Sequence, residues 1–419
     1  MYFLQEILFP FEVFVQNADH HDHIFLALSS VDVEPIRKMF PNHWGVGRPG
    51  YDRTALFRAL ILQRLMQLPS IETLVKCLKY SPQLAYWCGF DIRKSPPSST
   101  VFYRFLAELK EQADQELLEQ GVQSLVTKTV KLATSEGKIV LDSTDIPARE
   151  RAPRKKDDLS PEQQENALSF GSAWGHRTAS DEETEMFYGY KLHAATLLTN
   201  IGPIPLAAIL TPANVSDVEL APRLMSEACK EHERLYGFRP GYYLMDAGYD
   251  SGDIYKLALD LKGQAIIKLN KRNQKEPPQG FNEKFIPLCP AGQPMVYWGS
   301  DKKHMTIKFR YPKAAGRQVE CEGQCRFKNP YGLVVRLRVT DNPRLFSCPY
   351  RGSENWQKLY SQRTSIERWF ALLKEHLYMD KMNRRGIDNA FTDVMLCLIT
   401  FLAGTLAQLK IEQQTCKAA

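Results

Sequence analysis

Four polar side chains near the C-terminal end of the chain are spaced so that one helix would place them on one stripe. They are Tyr360, Arg363, Glu367 and Lys374, and they lie within residues 356–378, a stretch without Gly or Pro. At about 100° per residue they fall within about 60° of one another. A carboxylate flanked by two cations and a phenol suits holding a metal ion near a phosphodiester. An ordinary amphipathic helix with a Glu/Arg pair would give the same pattern.

Two aspartates follow apolar strand-like segments. Asp142 comes directly after KIVL, and Asp246 directly after YYLM. Ligands of open α/β sheets bind at the carboxyl ends of the strands. If both aspartates converge with Glu367, the three carboxylates stay ionised only when a cation neutralises them. Hard oxygen ligands select Mg²⁺ or Mn²⁺, and two such ions would activate a water or a 3′-hydroxyl and stabilise the leaving oxygen.

Other polar residues beside these strands leave alternatives open. Either aspartate alone is explained equally well as the cap of a strand end. Asp145 and Asp250 lie close by in sequence, but the two aspartates named above are preferred because they directly follow the apolar strands. Lys191 and His193 alternate on one predicted strand. Either could contact phosphate, although we expect both side chains to face solvent.

Charge is distributed unevenly over the 419 residues. The content of 44% hydrophobic and 24% charged residues is typical of a globular soluble protein, and the net charge is +6. Residues 262–363 hold 20 Lys/Arg against 7 Asp/Glu, an excess of 13 positive charges, so the remainder is net acidic. This asymmetry predicts a polyanion-binding module beside a more acidic body.

The cysteines and the chain ends indicate a cytoplasmic protein. The N-terminus has no basic region typical of a secretory signal. The apolar run 394–409 is short for a membrane span, so we expect a buried C-terminal helix and no membrane association. The nine cysteines are then thiols or metal ligands. Four of them could form a structural Zn²⁺ site, with unligated thiols as the alternative: Cys289, Cys321, Cys325 and Cys348.

Changes in the sequence pattern divide the chain into four parts. Residues 1–135 predict helices with Asp52, Ser70 and Ser98 or Ser99 as N-caps, the third a long helix from Val101 toward Leu132. They would form a DNA-binding helix-turn-helix-like domain or a plain bundle. Residues 136–270 alternate strands and helices in the order β-β-β-α-β-α-β, which predicts a mixed five-stranded sheet. A long polar loop follows the first strand, and the next two strands form a hairpin around Thr199–Pro203. Residues 271–355 are basic and rich in strands. Residues 356–419 hold the helix described above and the apolar helix.

These segments together resemble the insertion-sequence transposases of the DDE superfamily. The spacing Tyr360-x2-Arg363-x3-Glu367-x6-Lys374 resembles their Y-R-E-K signature. LDSTD resembles the strand of the first Asp, and LMDAGYDS that of the second. YGYKLH (188–193) and ILTPANVSDVE (209–219) resemble the stretch between them. GRPGYDRTALFRALILQRLMQLPSIETLVKCL and SPPSSTVFYRFL resemble the N-terminal domain often joined to these enzymes.

The resemblance implies a role for each matching position. The metal-binding catalytic triad of an RNase H-like core would be Asp142, Asp246 and Glu367, with Mg²⁺ or Mn²⁺, two ions in all. DNA-binding residues that hold phosphates of the transposon end would be Tyr360, Arg363 and Lys374. The β-rich insertion resembles those of relatives in which it contacts DNA, and Trp298 in it could stack a displaced base or belong to a core.

The resemblance also implies the reaction. Family members cut DNA at the ends of the element and use the freed 3′-hydroxyl to attack target DNA. The implied partners are transposon-end DNA and target DNA, bound by a homodimer. Two alternatives remain: a nuclease of the same fold that only hydrolyses DNA, and a DNA-binding protein derived from a transposase whose catalysis has decayed.

Overall fold

The N-terminal part of the chain is helical, as predicted. The structure, a computed structural model, describes residues 22–40, 50–112, 115–152, 170–178, 184–270, 276–319 and 330–418. Its first helices are α1 (His23–Ser30), α2 (Glu34–Met39), α3 (Arg53–Leu65), α4 (Ile71–Tyr80), α5 (Pro82–Cys88), α6 (Ser99–Gln112) and α7 (Gln115–Val130).

Side-chain caps begin two of these helices where the sequence predicts them. Asp52 accepts a hydrogen bond from the Thr54 amide at 2.9 Å, at the start of α3. Ser70 accepts one from the Thr73 amide at 3.2 Å, at the start of α4. Each cap satisfies a backbone donor that the first helical turn leaves free. The long third helix predicted from Val101 onwards takes the form of α6 and α7, and residues 113–114 between them lie outside the described residues.

A mixed sheet forms the centre of the molecule. Its strands run in the order β2-β3-β1-β5-β6, and β4 also pairs with β3. β1 is antiparallel to β3 and parallel to β5, and β5 is parallel to β6. The strands are β1 (Ser135–Pro147), β2 (Ala173–Thr178), β3 (Thr184–Thr199), β4 (Gly202–Pro212), β5 (Tyr242–Met245) and β6 (Gln264–Ile267), with α8 (Asp217–Tyr236) before β5 and α9 (Gly252–Asp260) before β6.

The sheet has six strands, so the predicted number of five was wrong. The additional strand is β2, which comes from a segment that the sequence suggests is loop. β3 is long enough to pair with β2 along its first residues and with β4 along the rest of its length. At Gly189 a Cβ would lie 2.2 Å from the carbonyl oxygen of Ile146, so only glycine allows β1 and β3 this close approach. The predicted hairpin between β3 and β4 is confirmed.

The basic region contains a separate three-stranded antiparallel sheet. Its strands are β7 (Val296–Asp301), β8 (Thr306–Arg310) and β9 (Val334–Arg338), in that order. Ile307 and Phe309 of β8 point into a small apolar core that does not belong to the main sheet. The predicted strand-like segments are therefore present.

The predicted helix over 356–378 is two helices, α10 (Glu354–Ser361) and α11 (Thr364–Leu377). Between them the amides of Arg363 and Ser365 donate to the carbonyls three residues earlier, at 3.1 Å each. In an α-helix they would donate to the carbonyls four residues earlier. Arg363 keeps right-handed helical dihedrals (φ −53°, ψ −38°), so the backbone between the two helices forms a tighter, 3₁₀-type turn and stays helical. The prediction of one continuous helix was wrong for this reason.

The last helix is α12 (Ile387–Ala418), longer than the apolar run that predicts it. It packs against α1, α7 and α3. Among the described residues it is the one helix long and apolar enough to cross a membrane, but 67% of its apolar window is buried inside the protein. It is therefore a core helix, as the sequence predicts.

Alternating residues of the main sheet cover two different cores. Val140 and Leu244 face α11, α12 and the N-terminal helices. Ile139 and Leu141 face α8 and α9 on the opposite side. Because successive side chains of a strand alternate between faces, both faces of β1 are apolar over Ile139–Leu141, and Asp142 is the first polar position after this run.

Candidate active site

Asp142 and Asp246 lie at the same end of the parallel pair formed by β1 and β5. β1 pairs with β5 only through Lys138, Ile139 and Val140, so it continues beyond the end of β5. Asp142 lies on this continuation, and Asp246 directly follows β5. The two strands are parallel, so both carboxylates lie towards one edge of the pair. Asp246 ends its strand as predicted, but the prediction that Asp142 ends its strand was wrong, because β1 stays paired with β3 as far as Pro147.

Backbone amides orient both carboxylates. The amide of Ser143 donates to Asp142 Oδ1 at 2.9 Å. The amide of Gly248 donates to Asp246 Oδ1 at 2.8 Å, within a short 3₁₀ turn over Ala247–Tyr249. A carboxylate fixed through one oxygen keeps the other available for a further ligand.

Glu367 reaches this edge from α11. The neighbouring Ile366 and Phe370 are buried and fix the helix on the sheet. Nη1 of Arg363 lies 2.5 Å from Glu367 Oε1 and 3.8 Å from Asp142 Oδ2. One guanidinium therefore bridges the carboxylates of the first strand and of the helix.

Burial makes this group of carboxylates costly to ionise. It raises the pKa of Asp142 to about 7, and the negative charges of Asp246 and Glu367 act in the same direction. The Ser143 amide and Arg363 oppose this rise. Burial also raises the pKa of Asp246. A cation placed among these groups would relieve the cost, because it favours the charged form of each.

The donor set fits a hard divalent ion, although the present arrangement is not that of a liganded site. Within the described ranges no three His, Cys, Asp or Glu side chains stand close enough together to hold a metal ion. The Arg363 guanidinium lies between two of the three carboxylates instead. Carboxylate oxygens are nevertheless the ligands that Mg²⁺ and Mn²⁺ prefer.

The other two residues of the predicted stripe flank the carboxylates. The ring of Tyr360 stacks on Trp356 with centroids 5.0 Å apart, and the Arg363 guanidinium lies 5.8 Å from the centre of the Tyr360 ring. Lys374 Nζ lies 2.9 Å from Asp145 Oδ1. Their predicted contact with DNA phosphates stays a prediction.

Asp250, the sequence alternative to Asp246, has a structural partner. It is buried and receives two hydrogen bonds from Arg344, at 2.7 and 3.0 Å, and one from the Asn270 amide at 2.8 Å. Arg344 follows the three-stranded sheet, so this ion pair ties that region to the core. The sequence carries no signal that separates this aspartate from Asp246 beyond its distance from the strand.

The predicted Zn²⁺ ligands are described only in part. Cys289 and Cys348 are buried in the small core of the three-stranded sheet. Cys321 and Cys325 lie outside the described residues. The structural Zn²⁺ site therefore stays a prediction.

Two residues expected to face solvent are buried behind the carboxylates. His193 is fully buried, and the side chain of Lys191 is only 15% exposed. The expectation was wrong because α8 covers this face of β3. Both lie close to Asp217, the first residue of α8, a carboxylate that the sequence does not single out. The sequence feature that could have pointed to Asp217 is its position at the start of a helix, directly after ANVS.

Comparison with known families agrees with this arrangement. The family described as Transposase DDE domain matches residues 133–402, which span the main sheet, the three-stranded sheet and the first half of α12. The family described as Transposase domain (DUF772) matches residues 14–108, in the N-terminal helical part. No curated protein matches the chain.

The match covers well over half of the chain and includes every strand of the main sheet. The mixed sheet with helices on both faces is consistent with the RNase H-like fold of that family. Such enzymes act on DNA as polynucleotidyl transferases and nucleases and use divalent metal ions. The chain belongs to the transposase DDE domain family and is a DNA transposase.

Proposed function

We propose that the enzyme cuts DNA at its transposon ends and joins the freed 3′-hydroxyl to target DNA, with Asp142, Asp246 and Glu367 holding the divalent ions. The observation that carries this proposal is the position of Arg363, which contacts both Asp142 and Glu367. Asp142 and Glu367 already share one cationic group, the Arg363 guanidinium. Burial, which raises the pKa of Asp142 to about 7, makes a cation necessary for full ionisation.

The ions are Mg²⁺ or Mn²⁺, and the reaction calls for two. When bound, they activate the attacking water or 3′-hydroxyl and stabilise the leaving oxygen. The protein contributes the orientation of the ligands. Ser143 and Gly248 each fix one oxygen of an aspartate through a backbone amide. The buried apolar face of α11 fixes the helix that carries Glu367.

Arg363, Lys374 and Tyr360 hold phosphates of the transposon end. A guanidinium can bind a phosphate through two parallel hydrogen bonds, whereas an ammonium acts as a point charge. Arg363 is limited to 18% side-chain exposure and Lys374 to 21%. Because both cations are already confined beside the carboxylates, binding a phosphate there costs them little side-chain entropy.

The three-stranded sheet offers a second contact with DNA. Trp298 is 44% exposed, and the guanidinium of Arg310 lies 4.6 Å from its ring centroid and 3.9 Å from that of Tyr331. Lys308 Nζ donates to the Tyr331 hydroxyl at 2.7 Å. Exposed aromatic rings interleaved with cations suit base stacking together with phosphate contact. This face supports a DNA-gripping role for the basic insertion.

These parts define the proposed division of labour. Residues 1–135 form the helical DNA-binding domain, and residues 271–355 form the basic insertion. Residues 136–270 and 356–419 together form the catalytic core. A homodimer, assembled on DNA in the cytoplasm, would bring the two transposon ends together, with one core acting at each end.

One assay tests the proposal. The protein is incubated with Mg²⁺, a labelled transposon end and a supercoiled target. Joined product supports the transposase reaction, and cut but unjoined DNA would indicate the hydrolysis-only nuclease. Binding without either product would indicate a DNA-binding protein without catalysis.

The matched variants are Glu367→Gln and Glu375→Gln. Both glutamates are on α11, and Glu375 is exposed about two helical turns beyond Glu367. Glu367→Gln should abolish cleavage while sparing end binding, because it removes a metal ligand but leaves the surrounding cations. Glu375→Gln should cut normally. Near-normal cleavage by Glu367→Gln would refute the metal role.

A further inference from the structure

Two segments that have no role in the proposed reaction so far meet behind the carboxylates. YGYKLH supplies Lys191 and His193 on β3, and ANVSD supplies Asp217 at the start of α8. Lys191 Nζ and His193 Nδ1 lie 3.4 and 3.3 Å from the same oxygen of Asp217. His193 Nε2 lies 3.0 Å from the Thr211 hydroxyl. A hydrogen bond with Thr211 therefore holds one side of the imidazole, and the other side faces the carboxylate of Asp217.

Asp217 is held as an anion in this place. Burial alone would raise its pKa, but the hydrogen bond from His193, the charge of Lys191 and the hydroxyl of Ser143 outweigh it and lower the pKa. Lys191 also donates to the carbonyl of Val215 at 3.4 Å, which fixes the turn before α8. The chain therefore places a further negative charge beside carboxylates that already repel one another.

Ser143 and Tyr249 connect Asp217 to the candidate metal ligands: the Ser143 hydroxyl interacts with Asp217, and the charge of Asp217 acts on the phenol of Tyr249. Ser143 lies directly across from His193 in the sheet, and its amide is the one that donates to Asp142. On the other side lies Tyr249, at the end of the turn that begins after Asp246.

The phenol of Tyr249 is only 1% exposed, and its hydroxyl has no hydrogen-bond partner in the described part of the chain. The charges of Asp217, Asp142 and Asp246 all act on it. A buried hydroxyl without a partner costs about 1–3 kcal/mol. The position of this hydroxyl next to carboxylates is explained if it donates a hydrogen bond to one of them, or to a water between them, when the divalent ion is bound.

We propose that Asp217, fixed by Lys191 and His193, is a positioning residue that orients Ser143 and Tyr249 and thereby the carboxylates of Asp142 and Asp246 for the divalent ion. This inference rests on the proposed metal role of those two aspartates. Residues that hydrogen-bond the ligands of a metal typically affect its affinity by about 10–100-fold. A role limited to capping α8 or packing β3 would change stability without changing metal affinity.

Direct Mn²⁺ binding to the DNA-free protein, followed by electron paramagnetic resonance, tests the proposal without relying on catalysis. Asp217→Asn and Tyr249→Phe should each weaken Mn²⁺ binding by about 10-fold or more. Tyr249→Phe is the sharper variant, because it removes only a hydroxyl that makes no hydrogen bond in the fold and should leave the unfolding temperature unchanged or raised. High Mn²⁺ concentration should restore cleavage in both variants.

The control is His232→Gln. His232 is a second fully buried histidine, near the other end of α8, and its Nδ1 lies 2.8 Å from the carbonyl oxygen of Phe238. This variant should lose stability but keep its affinity for Mn²⁺. If Tyr249→Phe and Asp217→Asn bind Mn²⁺ as tightly as this control, the positioning role is wrong.

Glu367→Gln separates failure of this inference from failure of the proposed function. If Glu367→Gln weakens Mn²⁺ binding but neither Asp217→Asn nor Tyr249→Phe does, only the positioning role is overturned. If Glu367→Gln leaves Mn²⁺ binding unchanged, the proposed metal site itself is overturned, and the positioning role falls with it.

Discussion

Replacing Asp142 by Asn should stabilise the metal-free protein while abolishing its catalysis. Burial raises the pKa of this carboxyl from the ordinary value of 3.8 to about 7. The folded protein therefore retains a proton that the unfolded chain releases between those two pH values. Folding stability consequently falls as pH rises through this range. Asn resembles the protonated carboxyl and does not ionise, so the variant avoids this loss of stability.

The size of the effect follows from the shift. A difference of about three pKa units, at about 1.4 kcal/mol per unit, corresponds to about 4 kcal/mol at pH 8. The side chain is 18% exposed, so contact with water reduces this figure. We expect Asp142→Asn to be more stable than the natural protein by about 2–4 kcal/mol at pH 8, and by less than about 1 kcal/mol near pH 4.

Urea unfolding of both proteins at several pH values, with a chelator present, measures this difference. Added Mg²⁺ should stabilise the natural protein at pH 8 and have little effect on the variant, because ligand binding to the folded state alone raises stability. Equal stability of the two proteins at pH 8 would refute the argument. An advantage of the same size at pH 4 and pH 8 would also refute it, since it would not arise from ionisation.

Two further predictions follow from the ion pairs. Arg344→Ala should destabilise the protein by about 3–5 kcal/mol, because it leaves the buried carboxylate of Asp250 unpaired; in urea unfolding, the double variant with Asp250→Asn should recover much of the loss, and no recovery would contradict the pairing. Arg363→Ala and Arg310→Ala should each reduce the slope of log affinity against log salt by about 0.9 if each cation neutralises one phosphate. An unchanged slope in DNA-binding titrations would exclude that phosphate contact for the residue concerned.

Local pattern was enough to predict the strands that carry the aspartates. The apolar runs in KIVL and YYLM indicate central strands. The first polar residue marks the strand end after YYLM, whereas β1 continues past Asp142 to Pro147. The buried face of α11 could likewise be predicted, because Ile366, Phe370 and Leu373 recur at helical spacing. These features depend on residues close together in sequence.

The features that could not be predicted depend on distant partners. β2 has few residues that favour strands, and it forms because the long edge of β3 offers it hydrogen bonds. The 3₁₀-type turn at Arg363 could not be predicted, because no Gly or Pro occurs in this stretch. The alternation of β3 predicts that Lys191 and His193 share a face, but not that α8 covers it.

The central claim is that Asp142, Asp246 and Glu367 share the divalent ions. Anomalous diffraction from crystals of the enzyme with Mn²⁺ and a transposon end tests it most directly. The account predicts Mn²⁺ peaks within direct coordination distance of all three carboxylates, with Arg363 moved from its contact with Glu367. Peaks bound elsewhere, or an Arg363 guanidinium still between Asp142 and Glu367 in a complex that cleaves DNA, would contradict it.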